Sequence, residues 1–375
     1  MRLGMLAGEA SGDILGASVM SAMHERFPQL QVTGVGGPLM TARGLDSLYP
    51  MERLSVMGLV EPLKRLPELL RIRSSVYRQQ CEWRPDCFLG IDSPDFNLPL
   101  ERQLRKAGLS TAHLVSPSIW AWRAGRIKSI AQSTDLMLCL LPFEVPIYER
   151  SGIPAVCVGH PLIDELAELP DKALAREQLG LPATAPVLAV LPGSRSAEVA
   201  NLLPVFLDAI HLLQKAHANL TAVIPAASPE RRAQIEALMG DNRDRVIVTN
   251  AGGRLAMQAC DTVLLASGTA SLEAMLLQRP MVIAYRMAWL SWQIVSRMTI
   301  TRFAGLPNIL AGREVVPELL QDAVHVESLV RATEFALDHG QEVQVAAFEP
   351  ISEQIGGDFA NRCVDALDRM MTQRQ

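Results

Sequence analysis

The sequence predicts an α/β protein built from two Rossmann-like domains, and three observations predict it. Short apolar runs alternate with helix-length segments along most of the 375 residues. The strand, small-residue loop and helix that open the chain return in kind at 187–199. Between them, residues 165–186 (ELAELPDKALAREQLGLPATAP) turn acidic and proline-rich around one short helix, as a boundary does. Alternating strands and helices imply right-handed crossovers and parallel sheets covered on both faces. The expected division is a first domain over 1–170, a second over 187–345, and a helical closing segment over 346–375 whose last helix crosses back to the first domain. A ligand would lie in the cleft between the domains, beyond the carboxyl ends of the strands.

In the first domain, a strand at 2–6 leads into the loop AGEASGD and a helix from about Ile14 to Arg26. Gly8, Ser11 and Gly12 allow a ligand to approach the backbone closely, while Glu9 and Asp13 suit a sugar hydroxyl better than a phosphate. The alternative is a plain N-cap in which Ser11 or Asp13 satisfies the first turn. Further strands are expected near 31–35, 86–91, 111–115, 136–141 and 155–158. The strand DCFLGI ends in Asp92, whose carboxylate at a strand end could take a proton from an attacking sugar hydroxyl. Asp95, beside Pro94, reads as turn or cap chemistry. After TAHLV comes the aromatic loop SPSIWAWR, in a chain with 5% aromatics. Trp120 and Trp122 either contact a sugar or acyl chain there or pack beneath the loop and fix its shape.

The second domain opens with the strand VLAVL and the loop Pro192-Gly193-Ser194-Arg195, which puts an arginine at a helix start where it could neutralise a pyrophosphate. Strands at 221–225 and 245–249 follow, then the permissive loop 250–254. Thr262–Tyr285 reads as strand, turn at Ser267-Gly268-Thr269, helix and strand. That turn offers backbone N–H groups and two hydroxyls at a helix N-terminus, where phosphate is attracted. Glu273, a turn and a half further on, could accept from ribose hydroxyls. These residues alone fit a nucleotide diphosphate site or an ordinary crossover. A second phosphate-compatible loop at 193–195 on the same predicted crevice favours the nucleotide. Leu306-Pro307-Asn308 reads as loop and Pro317-Glu318 as the start of a short helix.

The net charge of −5 and pI near 5.9 exclude a nucleic-acid binder held by a global positive field. Anions must be held locally, and the five arginines between 274 and 313, a stretch without Asp or Glu, supply one such field. Six cysteines without a C-x-x-C read as reduced core residues. No D-x-D and no metal-ligand spacing among the seven histidines point to chemistry without a metal or cofactor. No apolar run approaching the roughly 20 residues of a spanning helix and no leader pattern are expected. Residues 57–77 instead carry leucines with basic neighbours: Leu59, Val60, Leu63, Lys64, Arg65, Leu66, Leu69 and Leu70. They suit either an anionic bilayer surface or a helix packed on the sheet, with Pro62 and Pro67 dividing it into two short helices.

Nine motifs, in order, carry a resemblance that spans nearly the whole chain: GEASGDILGA (8–17), MGLVE (57–61), GIDSPDFN (90–97), VSPSIWAWR (115–123), LPFE (141–144), GHPLID (159–164), LPGSRSAEV (191–199), ASGTASLEAML (266–276) and LPNILAGRE (306–314). Together they resemble the lipid-A-disaccharide synthases. The resemblance implies a GT-B glycosyltransferase that inverts the anomeric centre while joining UDP-2,3-diacylglucosamine to 2,3-diacylglucosamine 1-phosphate (lipid X). It implies a homodimer attached to the cytoplasmic face of the inner membrane of a Gram-negative bacterium, and it favours membrane contact for 57–77. It assigns Asp92 as the base, Arg195 to the diphosphate, Asn308 to the active site and Glu273 to the ribose. Competing readings are another UDP-sugar enzyme of this fold, such as a UDP-N-acetylglucosamine epimerase, and a binding protein that holds a nucleotide sugar without turnover.

Overall fold

The computed structural model describes residues 1–54, 61–121, 124–240, 244–288, 292–293, 296–297 and 301–373. The chain divides into two units, Met1–Pro161 with Ile355–Gln375, and Leu162–Gln354.

The first unit holds seven strands: β1 (Arg2–Ala7), β2 (Gln31–Val35), β3 (Leu45–Ser47), β4 (Cys87–Ile91), β5 (Thr111–Leu114), β6 (Leu136–Cys139) and β7 (Ala155–Cys157). They form one parallel sheet in the order β3-β2-β1-β4-β5-β6-β7. The unbroken apolar runs follow from this, because β1 after its first residue and all of β4 are buried on both faces. One face packs against the helices Ala10–Arg26 and Phe359–Thr372 through Met20, Met23, Phe359 and Leu367. The other packs against Glu61–Trp83 and Pro94–Lys106 through Ile72, Val76, Leu100 and Leu104. The last helix therefore returns to the first unit.

The second unit has β8 (Val187–Leu191), β9 (Thr221–Pro225), β10 (Val246–Thr249), β11 (Thr262–Ala266), β12 (Met281–Tyr285) and β13 (Glu318–Leu320), in the parallel order β10-β9-β8-β11-β12-β13. Its helix Ser196–Ala216 is the one described element with the length and composition of a membrane span. It is a core helix, with Leu202, Leu203, Phe206, Ile210 and Leu213 buried against the sheet.

Strand order reverses between β1 and β4 in the first unit and between β8 and β11 in the second. Ligands in open parallel sheets bind at such switch points, beyond the strand ends. The loops and helix starts that follow these strands carry Gly8 to Gly12, Asp92, Gly193 to Arg195 and Ser267 to Thr269.

Several elements differ from the sequence expectation. The helix Glu61–Trp83 is continuous through Pro67, and Pro62 sits in its first turn, where the missing N–H costs nothing. Residues 306–311 form a helix rather than a loop, and Glu318–Leu320 is an edge strand rather than a helix. β3 and β13 are three residues each, too short to show a period. The unit boundary falls at Pro161 because the linker is bound to the second unit: Lys172 and Arg176 both reach Asp261, at 2.6 and 2.7 Å.

Candidate functional site

In the first unit, the chain leaves β4 through two consecutive left-handed residues, Asp92 at φ 50° and Ser93 at φ 43°. Val115, at the end of the neighbouring β5, has φ 78°, a rare conformation for a β-branched residue. Such strain costs about 1 to 3 kcal/mol per residue and gathers at functional sites. Here it is held by Asn97, which is fully buried and donates through Nδ2 to the carbonyls of Leu6, Ile91 and Asp92 at 3.3, 3.2 and 2.8 Å. The Asp92 N–H donates to Leu114 at 2.9 Å. Asp92 is thereby fixed, half-buried, on the wall of a cavity of about 410 Å³ that Asp95, Ser116, Ser118, Ile119 and Arg126 also line. Arg126 pairs with the exposed Asp95 carboxylate, so the cavity holds one compensated ion pair beside Asp92.

The loop over this cavity is supported from below. Trp120 packs edge-on against Phe143, with ring centroids 5.1 Å apart, and its indole N–H donates to Glu144 at 3.2 Å. Ser116 shares a 2.7 Å hydrogen bond with the fully buried Tyr148. Of the two readings open for Trp120, the geometry has it packing under the loop. Trp122 lies outside the described residues.

At the end of β1 the helix begins at Ala10, a turn earlier than its apolar pattern suggests. Gly8 is buried against Ser93, whose Oγ would lie 2.7 Å from an added Cβ. Gly12 is buried too, while Glu9 and Ser11 are exposed. Asp13 does not cap its own helix. Its buried carboxylate accepts from the N–H groups of Gly37, Leu39 and Met40 at 2.9, 3.0 and 3.0 Å and so caps the short helix Pro38–Thr41.

In the second unit, Gly193 turns the chain at φ 110°, where a Cβ would meet Glu198 Oε2 at 2.5 Å. Glu198 accepts from the Ser194 and Arg195 N–H groups, each at 3.2 Å, and pairs with the Arg195 guanidinium at 2.8 Å. These loop amides are capped by a carboxylate of the same helix, and the Arg195 side chain is 79% exposed. At β11 the geometry is more open. Gly268 and Thr269 are exposed, and among the described residues no side chain is hydrogen-bonded to the first amides of the helix Thr269–Leu276 and nothing lies within 4 Å of the Gly268 Cβ position.

Glu273 on that helix is half-buried, and one oxygen accepts from Arg254 Nε at 2.8 Å. Arg254 Nη1 reaches Glu165 at 2.7 Å. Burial lowers the Arg254 pKa, but hydrogen bonds to Glu273 and Glu165 more than offset it and raise it above its ordinary value. Asn308 is fully buried, and its amide is spent within the protein. Its Nδ2 donates to Val316 O at 2.9 Å and Glu318 at 2.7 Å, and its Oδ1 accepts from Val315 and Val316 N–H at 2.6 and 3.0 Å. Glu318 also accepts from Ala304 and Gly305 N–H, and the Ala304 carbonyl accepts from Ser267 Oγ at 3.0 Å. Asn308 therefore holds the segment that abuts the Ser267 turn.

Of the apolar and basic candidates, Leu66 and Leu70 are 47% and 41% exposed, whereas Leu69 is half-buried and packs on the core with Ile72 and Val76. Arg65 and Arg53 bind Glu68 at 3.5 and 2.6 Å. Leu59 and Val60, and the side chains of Leu63 and Lys64, lie outside the described residues. Two of the five arginines between 274 and 313 brace the fold: Arg279 donates to the carbonyls of Met257 and Gln258, and Arg286 to that of Val324.

Asn97, Arg126, Glu144, Glu198 and Arg254 were not singled out by sequence. Glu144 ends the LPFE motif, Asn97 ends GIDSPDFN, Glu198 lies in LPGSRSAEV and Arg254 closes the permissive loop 250–254, whereas Arg126 lies in no quoted motif. Their partners are what the motifs do not show: Glu198 works through Ser194 and Arg195 close by, whereas Asn97 reaches Leu6, 91 positions away.

A family model described as lipid-A-disaccharide synthetase matches residues 4–355. The lipid-A-disaccharide synthase of Pseudomonas fluorescens (strain SBW25) is 48% identical over 375 residues, covering 100% of this chain and 98% of that protein. That of Pseudomonas aeruginosa (strain LESB58) is 48% identical over 376 residues, with 100% and 99% covered. Among solved structures, the UDP-GlcNAc 2-epimerase of Neisseria meningitidis bound to UDP-GlcNAc is similar with a TM-score of 0.61 at 14% identity, covering 99% of this chain and all 100% of that one. A glycosyltransferase from Rickettsia africae has a TM-score of 0.62 at 10% identity, with 99% and 98% covered. At those identities the structures share the fold, two parallel-sheet α/β domains of GT-B type.

Proposed function

The chain belongs to the lipid-A-disaccharide synthase family, and from that premise we propose that it condenses UDP-2,3-diacylglucosamine with lipid X, yielding the β-1,6-linked disaccharide 1-phosphate and UDP. Membership makes it a glycosyltransferase of lipid A disaccharide formation in lipopolysaccharide biosynthesis, and a UDP-sugar its kind of donor.

The observation that carries the site assignment is Asp92, held by Asn97 in a left-handed turn on the wall of a polar cavity at the switch point of the first sheet. Its carboxylate takes the proton from the acceptor 6-hydroxyl as that oxygen bonds to the donor anomeric carbon, and the bond from that carbon to the diphosphate breaks with inversion. The charge that develops on the leaving UDP is met by the uncapped N-terminus of Thr269–Leu276 and by Arg195, whose exposed guanidinium exchanges Glu198 for phosphate. Glu273, oriented by Arg254, keeps one carboxylate oxygen for the ribose. Asn308 serves by holding the 304–318 segment against Ser267.

Both sugars carry acyl chains, and the exposed Leu66 and Leu70 give the protein an apolar surface for the cytoplasmic leaflet of the inner membrane, where it acts as a homodimer. Incubation with both substrates tests the reading. Disaccharide 1-phosphate and UDP should appear in equal amounts, and only when lipid X is present. Turnover of UDP-N-acetylglucosamine without lipid X, and no disaccharide, would identify an epimerase instead.

A further inference from the structure

Glu144 is a buried carboxyl that the reaction as described leaves unused. It is 4% exposed, and its two oxygens have different partners: Oε1 accepts from the Trp120 indole N–H and Oε2 from the Leu141 N–H, both at 3.2 Å. Trp120 ends the segment 115–120, of which Val115 to Ile119 wall the Asp92 cavity. We propose that Glu144 is a positioning residue for the acceptor side of the transfer: its carboxylate holds Trp120 and thereby the cavity wall, and taking up a proton releases it. This rests on the reading of the Asp92 cavity as the acceptor site.

Beside the Ser116 hydroxyl, which can donate or accept, the Trp120 and Leu141 N–H groups can only donate; an ionised carboxylate meets both with charge-assisted bonds, whereas a protonated carboxyl keeps one good acceptor oxygen and weakens one of the two. The Leu141 bond closes over three residues and anchors the turn Pro142–Glu144, whereas the Trp120 bond spans 24 residues of chain and is the one free to give way. Val115, strained at φ 78°, lies on the same short segment, so a loosened Trp120 lets that strain relax at the cavity mouth.

The surroundings leave Glu144 as the group that titrates. It faces Cys139 of β6, Cys157 of β7 and Tyr148 of the helix Val145–Glu149. Burial pushes all three above their ordinary values and keeps them neutral near pH 7. Burial also pushes the Glu144 carboxyl up to about 7, against the hydrogen bonds from Leu141, Ser116 and Trp120 that pull it down. Asp95 and Arg126, on the far side of the wall, are paired with each other.

The test is 5-fluorotryptophan NMR of the full chain from pH 5.5 to 8.5, with the Trp120 signal assigned by its loss in Trp120→Phe. In parallel, KM for lipid X and for the UDP donor is measured in wild type, Glu144→Gln and Trp120→Phe. Trp120→Phe keeps an aromatic ring beside Phe143 and removes the N–H with the rest of the indole, so it reads the loss of the bond in a variant that keeps the Glu144 carboxyl. The Trp120 signal should titrate with a midpoint near 7 in the wild type. Loss of one charge-assisted bond should raise KM for lipid X about tenfold below that midpoint, and at all pH values in either variant, with donor KM unchanged. A Trp120 signal indifferent to pH across the range overturns the proposal, as does a wild-type KM for lipid X in Trp120→Phe. If the wild type forms no disaccharide, the functional reading fails on its own, and the NMR titration still decides whether Glu144 governs Trp120.

Discussion

Asn308→Ala separates a residue that reacts with substrate from one that holds the site. The asparagine makes three hydrogen bonds to backbone groups and one to the Glu318 carboxylate, all from a fully buried position. A neutral bond contributes about 1 kcal/mol and one to a charged group about 2, which puts the loss near 5 kcal/mol if water does not enter. The loss is local, because the partners lie in the 304–318 segment, so it should be read as amide hydrogen exchange at Val315 and Val316 rather than as a global melt. At about 1.4 kcal/mol per factor of ten, those amides should exchange on the order of 10³ times faster in Asn308→Ala, bounded by the global stability of the unit. Asn308→Asp should be nearly as damaging, since it sets a second carboxylate 2.7 Å from that of Glu318. UDP binding should weaken with the loosened segment, because Ser267 is tied to Ala304. Exchange within about threefold of wild type, together with a collapse of kcat, would refute the reasoning and place the amide on the substrate.

Other outcomes follow from the same geometry. Arg195→Ala should raise the Kd for UDP about tenfold by calorimetry while shifting stability by less than about 0.5 kcal/mol, since the side chain is largely exposed and its ion-pair partner is Glu198 of the same helix. Leu66→Ser with Leu70→Ser should release the protein from anionic vesicles with its circular dichroism intact; unfolding instead would make these two leucines core. Glu144 gives stability a defined pH dependence. Its carboxyl is raised from an ordinary 4.5 to about 7, so the folded state binds the proton more tightly than the unfolded chain. The resulting stabilisation, about 3 kcal/mol, is fully present below pH 4.5 and is lost as pH rises through about 7. Denaturant midpoints should show that slope in wild type and not in Glu144→Gln.

The parallel sheets were legible because strands buried on both faces are written as continuous apolar runs, as in CFLGI and TVLLA. The loops after β1, β4, β8 and β11 were legible because small residues and a strand-end carboxylate mark them. Those four loops flank the two points where strand order reverses, which no local pattern could announce. The polar supports were not legible. Asp13 looks like a cap for its own helix but serves three amides around Gly37, and Asn97 looks like a helix residue but ties three strand-end carbonyls. Asn308 was found by family likeness, and its role as a clamp came from partners seven to ten residues on. In 57–77, Leu66 and Leu70, four residues apart on one helical stripe, face solvent, whereas Leu69 beside them packs on the core.

The central assignment is Asp92 as the group that takes the acceptor proton. The direct measurement is kcat for disaccharide formation in Asp92→Asn, alongside its Kd for UDP. General-base help lost with the nucleotide loops intact predicts a fall in kcat of about a hundredfold or more, with UDP affinity within about twofold of wild type. Turnover near the wild-type rate would contradict it and remove Asp92 from the chemistry.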